Sequence, residues 1–268
     1  MITVGIDLGT AAIKVVFIDQ GSLLWAKALP TLPQHIKVCE QLLKEGMETV
    51  SLKKKDIAGV AATGYGKRLF PGSMKIVDEI SANAVGAYVL SKARARTIIN
   101  IGGQDVKVIK ISCEGKVDDF KMNDKCAAGT GRFFEMAGRI LDTPVCEFGD
   151  LSFQSLSQVC LNSTCAVFAE SEIVSLLSMG KSRNDIIAGL HKSVARRISE
   201  LTGSLYLEEA IYLDGGPAVN KGLTLAIKEE LIRDIDVLEQ PQFTVAFGAA
   251  IILSEEMSVK ESIKAERR

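Results

Sequence analysis

The chain has 268 residues, a length that predicts one large domain or two small ones. Hydrophobic residues make up 47% and charged residues 24%, which excludes disorder for most of the chain and predicts a substantial core. With 32 basic and 33 acidic side chains the net charge is −1, so the chain as a whole has no electrostatic attraction for nucleic acid or an anionic membrane.

The longest uncharged apolar stretch, residues 243–254, is shorter than the roughly 20 residues that a membrane-spanning helix needs. The N-terminal residues have no basic region, and no small-residue cleavage site follows an apolar core, so we expect no signal peptide. The sequence therefore predicts a cytoplasmic protein with no membrane or nucleic-acid partner.

Apolar runs predict three strands within the first 30 residues, at 2–7, 13–18 and 23–29. A turn typical of hairpins separates the last two, so we expect an antiparallel meander. Apolar periodicity then predicts helices at 36–50 and 76–90, with a short strand at 57–62 and a loop at 63–66 between them.

A second strand–turn–strand unit at residues 97–111 has the outline of the first and begins 95 residues later, which indicates an internal repeat. After it we expect three helices, one strand and a final helix, at 133–141, 167–179, 184–202, 210–213 and 246–253. The charged tail from residue 260 is expected to be frayed.

Three turns combine glycine with an acidic residue, and each follows an apolar strand, at 7–10, 101–105 and 214–216. Glycine lets backbone N–H groups approach phosphate oxygens, and a carboxylate can hold Mg²⁺ through water. In this order the turns resemble the phosphate-1, phosphate-2 and adenosine motifs of the acetate and sugar kinase, Hsp70 and actin superfamily. The pattern GxxxxGK followed by Ser or Thr is absent, which excludes a P-loop.

Six cysteines lie at positions 39, 113, 126, 146, 160 and 165. No CxxC pair is present and the chain has two histidines, so a zinc ribbon or a histidine-rich metal site is not expected. Disulfides are not expected in a chain of this size without a secretion signal, and each cysteine is by default a small buried hydrophobic residue.

Three long segments carry a closer resemblance: IGGQDVKVI at 101–109, MNDKCAAGTGRF at 122–133 and STCAVFAESE at 163–172. Over nearly its whole length the chain resembles the ATP-dependent activators of 2-hydroxyacyl-CoA dehydratases. These belong, with the ATPase subunits of benzoyl-CoA reductase, to the BadF/BadG/BcrA/BcrD ATPase family.

The resemblance implies an oxygen-sensitive homodimer with one [4Fe–4S] cluster on its two-fold axis, from an anaerobic metabolism. Each protomer then supplies two cysteines, Cys126 and Cys165, which makes the four thiolates that such a cluster needs. Both precede predicted helices, whose N-termini favour negative charge, and the backbone around Gly129, Thr130 and Gly131 would lie against the sulfurs. The other four cysteines match no ligand position.

The resemblance also assigns nucleotide roles. Asp7 is expected to orient Mg²⁺ through water, and Gln104 and Asp105 to lie near the γ-phosphate, where the identity of the hydrolytic base stays open. The remaining nucleotide contacts are expected from the three turns, at Gly9, Thr10, Ala11, Ala12, Lys14, Gly102, Gly103, Gly215, Gly216, Asn220 and Lys221. Ala11 and Ala12 offer no hydroxyl, and Pro217 offers no N–H.

The implied fold is α/β, the actin-like fold with two RNase H-like lobes and ATP or ADP in the cleft. We expect lobe I to comprise residues 1–96 and 243–268, and lobe II residues 97–242. The implied activity is ATP hydrolysis coupled to electron transfer: ferredoxin or flavodoxin reduces the cluster, and one low-potential electron passes to a 2-hydroxyacyl-CoA dehydratase.

Three alternatives stay open. The partner could be a benzoyl-CoA reductase-type or double-cubane-cluster reductase instead of a dehydratase. The chain could be a small-molecule kinase of the same fold, with Asp105 deprotonating a substrate hydroxyl and no iron. It could also be a scaffold or sensor that uses nucleotide only as a ligand.

Overall fold

The computed structural model describes residues 1–123, 130–157, 159–161, 166–203 and 205–266. Its strands are β1 (Ile2–Leu8), β2 (Ala12–Asp19), β3 (Ser22–Pro30), β4 (Ile57–Thr63), β5 (Lys75–Ile76), β6 (Thr97–Ile101), β7 (Val106–Ile111), β8 (Val117–Met122), β9 (Ile211–Asp214) and β10 (Ile235–Val237). Its α-helices are α1 (His35–Thr49), α2 (Glu79–Leu90), α3 (Gly131–Ile140), α4 (Phe148–Ser152), α5 (Ala166–Ser178), α6 (Arg183–Thr202), α7 (Lys221–Leu231) and α8 (Thr244–Glu266).

The chain divides into two compact units. The first comprises Met1–Arg94, Ile111–Val117 and the chain from Phe243 onward, and the second comprises Ala95–Lys110 and Asp118–Gln242. Each unit is built around one five-stranded mixed sheet.

In the first unit the strand order is β3–β2–β1–β4–β5. The meander β1–β2–β3 is antiparallel, as the sequence predicts, and β4 joins β1 in parallel. Side chains alternate between the two faces of β1: Val4 and Ile6 pack in the core that α1 covers, whereas the hydroxyl of Thr3 donates to the Ala250 carbonyl of α8 at 3.1 Å. Asp7 lies on the same face as Thr3, near the C-terminal end of β1, which is the central strand of the sheet.

The second unit has the same topology, with strand order β8–β7–β6–β9–β10. Here too the first strand of the repeat pairs antiparallel with the next strand, β7, and parallel with a later one, β9. One face of the sheet, including Ile99 and Val108, packs in a core with Phe133 of α3, Ile173 of α5 and Ile187 of α6. The predicted strand–turn–strand repeat is therefore a duplicated sheet.

Several elements differ from the sequence-based expectations. Helix α8 continues to Glu266 although a frayed tail was expected from residue 260, because this segment is rich in good helix formers and has no glycine or proline. Strand β8 was not predicted: charged residues interrupt its apolar ones, and all but its first residue are exposed. Helix α7 and the short strands β5 and β10 were not predicted either.

The cysteines also correct an expectation. Cys39 is the buried hydrophobic residue that was expected, and burial raises the pKa of its thiol to about 11. Cys113, Cys146 and Cys160 are exposed, so the same expectation was wrong for them. Among the described helices, none combines the length and the apolar character that crossing a membrane demands.

Candidate functional site

The first predicted turn joins β1 to β2 and brings Asp7 and Lys14 together. The two residues are cross-strand partners, and the Lys14 Nζ lies 2.7 Å from Asp7 Oδ2. The Asp7 side chain is 6% exposed and that of Lys14 is 20% exposed, so the lysine is the more accessible of the pair. The three residues between the strands, Gly9, Thr10 and Ala11, are half-buried, and so is Ala12, the first residue of β2.

Thr31, just after β3, fixes the shape of this turn. Its hydroxyl donates to the carbonyl of Gly9 at 2.8 Å, and its N–H donates to the carbonyl of Ala11 at 2.9 Å. These two hydrogen bonds use carbonyl oxygens of the turn and none of its N–H groups. The N–H groups are therefore the part of the turn that can bind an anion. Sequence reasoning gave Thr31 no role, since the contact depends on the pairing of β2 with β3.

The loop after β4 lies beside Asp7. Thr63 is the parallel-strand partner of Asp7, and Gly64 has φ +83°, a left-handed conformation that favours glycine. A Cβ at Gly64 would lie 2.4 Å from Asp7 Oδ1, and the Gly66 N–H donates to the Leu8 carbonyl at 2.9 Å. This loop, which had no expected role, therefore forms one wall around the Asp7 carboxylate.

The second predicted turn joins β6 to β7. Its ends are closed by the Gly102 N–H, which donates to the Asp105 carbonyl at 2.8 Å. Gly102 and Gly103 are half-buried and Gln104 is exposed, whereas Asp105 is 3% exposed. The Asp105 Oδ1 accepts a 2.6 Å hydrogen bond from Lys107, a residue that the sequence analysis did not single out.

A buried polar row crosses the sheet below this turn. Asn100 on β6 is the register partner of Lys107 on β7 and of Asp214 on β9. The Asn100 Nδ2 donates to Asp214 Oδ1 at 2.8 Å, and the Asp214 side chain is fully buried. Buried charges persist when they are paired or hydrogen-bonded, and this row meets that condition.

The third predicted turn follows β9. Gly215 has φ +93°, and a Cβ there would lie 2.1 Å from the Ile101 carbonyl oxygen at the end of β6. The Gly215 N–H donates to the Pro241 carbonyl at 3.0 Å. Gly216 is exposed with open space around it, and it begins the short 3₁₀ helix Gly216–Val219.

Asn220 and Lys221 begin helix α7. The Asn220 Oδ1 accepts from the Leu223 N–H at 3.0 Å and caps the helix, while its Nδ2 lies 2.9 Å from His191 Nε2. Burial lowers the pKa of His191 to about 4, so the ring is neutral at pH 7 and its Nε2 accepts this bond. Both the oxygen and the nitrogen of the Asn220 side chain are therefore hydrogen-bonded within the protein. Lys221, by contrast, is exposed.

Cys126, Gly129 and Cys165 lie outside the described residues, but the helices that follow them are described. Helix α3 begins at Gly131, after the buried N-cap residue Thr130. The N–H groups of Gly131 and Arg132 donate to the carbonyls of Gly102 and Gly103, at 2.9 and 3.0 Å. The second turn and the start of α3 are therefore joined directly, and α3 packs against α5, which begins at Ala166.

A model of the BadF/BadG/BcrA/BcrD ATPase family matches residues 4–252. The chain belongs to this ATPase family. It is 43% identical to the activator of lactoyl-CoA dehydratase of Anaerotignum propionicum over 95% of this chain and 98% of that protein. It is 33% identical to one of the benzoyl-CoA reductase subunits of Thauera aromatica, over 92% of this chain and 87% of that protein.

Among solved structures, the activator of the 2-hydroxyisocaproyl-CoA dehydratase from Clostridium difficile with bound ADPNP has a TM-score of 0.93 and 38% identity, covering 99% of this chain and 98% of that one. A ROK family glucokinase from Streptomyces griseus has a TM-score of 0.56 and 14% identity, covering 94% and 99%, and shares the fold alone. This BadF/BadG/BcrA/BcrD family member therefore has the predicted actin-like α/β fold.

Within the described ranges, no cluster of three or more His, Cys, Asp or Glu side chains could hold a metal ion by itself. Mg²⁺ does not need such a cluster, because it keeps several waters and binds through one or two carboxylates together with substrate phosphates. Asp7, near the C-terminal end of the central strand β1 and beside a lysine, fits such a role. For an iron–sulfur cluster, the two cysteine segments each lead into one of two packed helices, α3 and α5.

Proposed function

We propose that this ATPase family member is an activator of a 2-hydroxyacyl-CoA dehydratase, which it supplies with one low-potential electron at the expense of ATP. Its near full-length similarity to dehydratase activators, one of them solved with ADPNP, is the observation that carries the proposal. The two joined features of the second unit, a glycine turn and the helix after Cys126, support it.

We propose that the turns of the two units hold the phosphates of ATP and that the units correspond to the two expected lobes. With nucleotide present, a phosphate oxygen would replace Asp7 as the partner of Lys14, because the lysine is accessible and carries a point charge suited to phosphate. Asp7 would then accept hydrogen bonds from water bound to Mg²⁺. Gln104 is exposed next to the buried Asp105 and would orient the attacking water.

We propose that the third turn lies against the adenosine of the nucleotide. Gly215 and Gly216 add no side chain there, and Gly216 stands in open space. Because Asn220 is held by Leu223 and His191, we propose that it shapes this turn and that the exposed Lys221 is the residue free to approach the nucleotide.

We propose that Cys126 and Cys165 of two copies hold one [4Fe–4S] cluster in a homodimer, and that ferredoxin or flavodoxin reduces it. When bound, the cluster supplies one-electron redox chemistry. The N-termini of α3 and α5 would face it with the positive ends of their helix dipoles, which favours thiolates and an anionic cluster.

The coupling between nucleotide and electron transfer would run through α3. A displacement of residues 102–105 on ATP binding or hydrolysis would pull the first N–H groups of α3, and with them the segment that carries Cys126. For a one-electron couple, each 59 mV of lowered potential corresponds to about 1.4 kcal/mol of such coupling.

The test is anaerobic purification of the wild type and two cysteine variants, with iron and sulfide counts and a visible spectrum. We expect about four irons per dimer in the wild type, bleaching in air, and loss of iron in Cys126→Ser. Cys160→Ser is the matched control, because Cys160 is exposed and lies close in sequence to Cys165, and it should keep its iron. An iron-free wild type after anaerobic reconstitution would contradict the proposal.

The similarity to a component of benzoyl-CoA reductase favours one second candidate, a benzoyl-CoA reductase-type or related reductase partner. The two are separated by offering the reduced protein and ATP to a 2-hydroxyacyl-CoA dehydratase and to such a reductase. Turnover of the dehydratase is expected, and turnover of the reductase alone would favour the second candidate.

A further inference from the structure

The two sheets repeat one pattern of polar residues at equivalent positions. In the first unit Asp7 lies two residues before Gly9 and pairs across the ladder with Lys14. In the second unit Asn100 lies two residues before Gly102 and pairs with Lys107. Lys14 and Lys107 are therefore equivalent residues of the duplicated fold, on the second strand of each sheet.

The two lysines differ in their surroundings. Lys14 is 20% exposed beside its turn, whereas the Lys107 side chain is 3% exposed. A lysine this deeply buried is rare unless it is paired, and Lys107 is paired at 2.6 Å with the carboxylate of Asp105, whose side chain is 4% exposed. Lys107 thus lies too deep to contact a phosphate, and its charge is directed at Asp105.

Asp105 is held through both its backbone and its side chain. Its carbonyl accepts from the Gly102 N–H, which fixes the backbone of the turn, and its Oδ1 accepts from Lys107 Nζ, which fixes the side chain. Asp105 directly precedes β7 and Lys107 is the second residue of that strand, and their 2.6 Å contact places the two side chains on the same side of the sheet. The pair therefore fixes the carboxylate from below the turn.

We infer that Lys107 is a positioning residue for ATP hydrolysis, which acts by holding the Asp105 carboxylate in its orientation. This inference rests on the proposed ATPase function. It predicts a split between two constants: losing Lys107 slows turnover, since the carboxylate is misplaced, but leaves nucleotide affinity nearly unchanged, since Lys107 does not contact the nucleotide.

The experiment compares Lys107→Met, Asp105→Asn and the double variant in steady-state ATP hydrolysis and in ADPNP binding. We expect Lys107→Met to lower kcat by about tenfold or more and to change the Kd for ADPNP by less than about threefold. In the Asp105→Asn background the same substitution should change neither constant, because the group through which Lys107 acts is already altered.

Lys110→Met is the matched control. Lys110 is on the same strand with the opposite parity, and it pairs with Glu208 at 3.0 Å away from the turn. It should keep the wild-type kcat. Lys107→Met leaves a buried carboxylate without its lysine partner, so thermal unfolding is used to check that the variant folds. If it does not fold, the double variant, which removes both charges, is compared with Asp105→Asn to test the inference.

Two results would overturn the inference while wild-type ATPase activity stands. One is an unchanged kcat in folded Lys107→Met; the other is a further loss of kcat or ADPNP affinity when Lys107→Met is added to Asp105→Asn. A wild-type chain that does not hydrolyse ATP would overturn the proposed function, and the inference with it.

Discussion

Replacing Gly215 with alanine tests whether the third turn depends on close approach of two backbones. At φ +93° and ψ 172° the backbone of residue 215 has a conformation that is essentially restricted to glycine, and an alanine there costs about 1–3 kcal/mol. Its Cβ would also lie 2.1 Å from the Ile101 carbonyl oxygen and 2.8 Å from the Ile101 carbonyl carbon. The oxygen would have to move by about 1 Å, and overpacking of this kind costs about 1–3 kcal/mol.

Gly180→Ala separates the two terms. Gly180 lies in the same unit at φ +76°, and a Cβ there would meet nothing within 4 Å. Gly180→Ala should therefore lose only the cost of an alanine at positive φ, about 1–2 kcal/mol, whereas Gly215→Ala should lose about 2–6 kcal/mol. The assay is urea unfolding of both variants, followed by circular dichroism and fitted with one common m-value.

Nucleotide binding gives the second readout. The Ile101 carbonyl that must move directly precedes Gly102, so Gly215→Ala should disturb the second turn and weaken ADPNP binding by about tenfold. Gly180→Ala should bind ADPNP like the wild type. If Gly215→Ala loses no more stability than Gly180→Ala, the close approach to β6 is not what requires glycine, and the reasoning fails.

Two further predictions concern stability. The folded His191 pKa of about 4 lies below its usual 6.5, so the unfolded chain binds the proton first as the pH falls. The free energy of unfolding should drop by about 3 kcal/mol between pH 6.5 and pH 4, and His191→Gln should flatten that slope; equal slopes in pH-dependent urea unfolding would refute this. Asp78 caps α2 by accepting from the Ile80 and Ser81 N–H groups at 3.0 and 3.2 Å. Asp78→Ala should cost about 1 kcal/mol in thermal unfolding and Asp78→Asn much less, and equal losses would contradict the capping role.

The sequence predicts the fold best where a local pattern decides the structure. The opening meander and helix α6 follow from alternation and from helical periodicity, and both are confirmed. Helix α7 was missed because its signal is an N-cap, Asn220, that was taken for a nucleotide contact. Strand β8 was missed because charged residues interrupt its apolar ones, Val117, Phe120 and Met122.

In the candidate site, too, local patterns were predicted and contacts between strands were missed. The three glycine turns are visible in the sequence, because each combines glycine with an acidic residue after an apolar strand. The partners Thr31, Lys107 and Asn100 were not predicted, because their contacts depend on the exact register between neighbouring strands, which the sequence analysis did not assign. Spacing could have found Lys107: it follows Asn100 by the same interval at which Lys14 follows Asp7.

The two hydrogen bonds from the start of α3 to residues 102 and 103 have a thermodynamic consequence. Equilibrium coupling is reciprocal, so if nucleotide alters the redox centre through this link, the electron must alter nucleotide affinity by the same factor. A potential that falls by about 59 mV on ATP binding would require the oxidised protein to bind ATP about tenfold more tightly than the reduced protein. Helix α3 would then couple the two sites in both directions: the oxidation state of the cluster would change nucleotide affinity at the second turn, just as nucleotide changes the potential of the cluster.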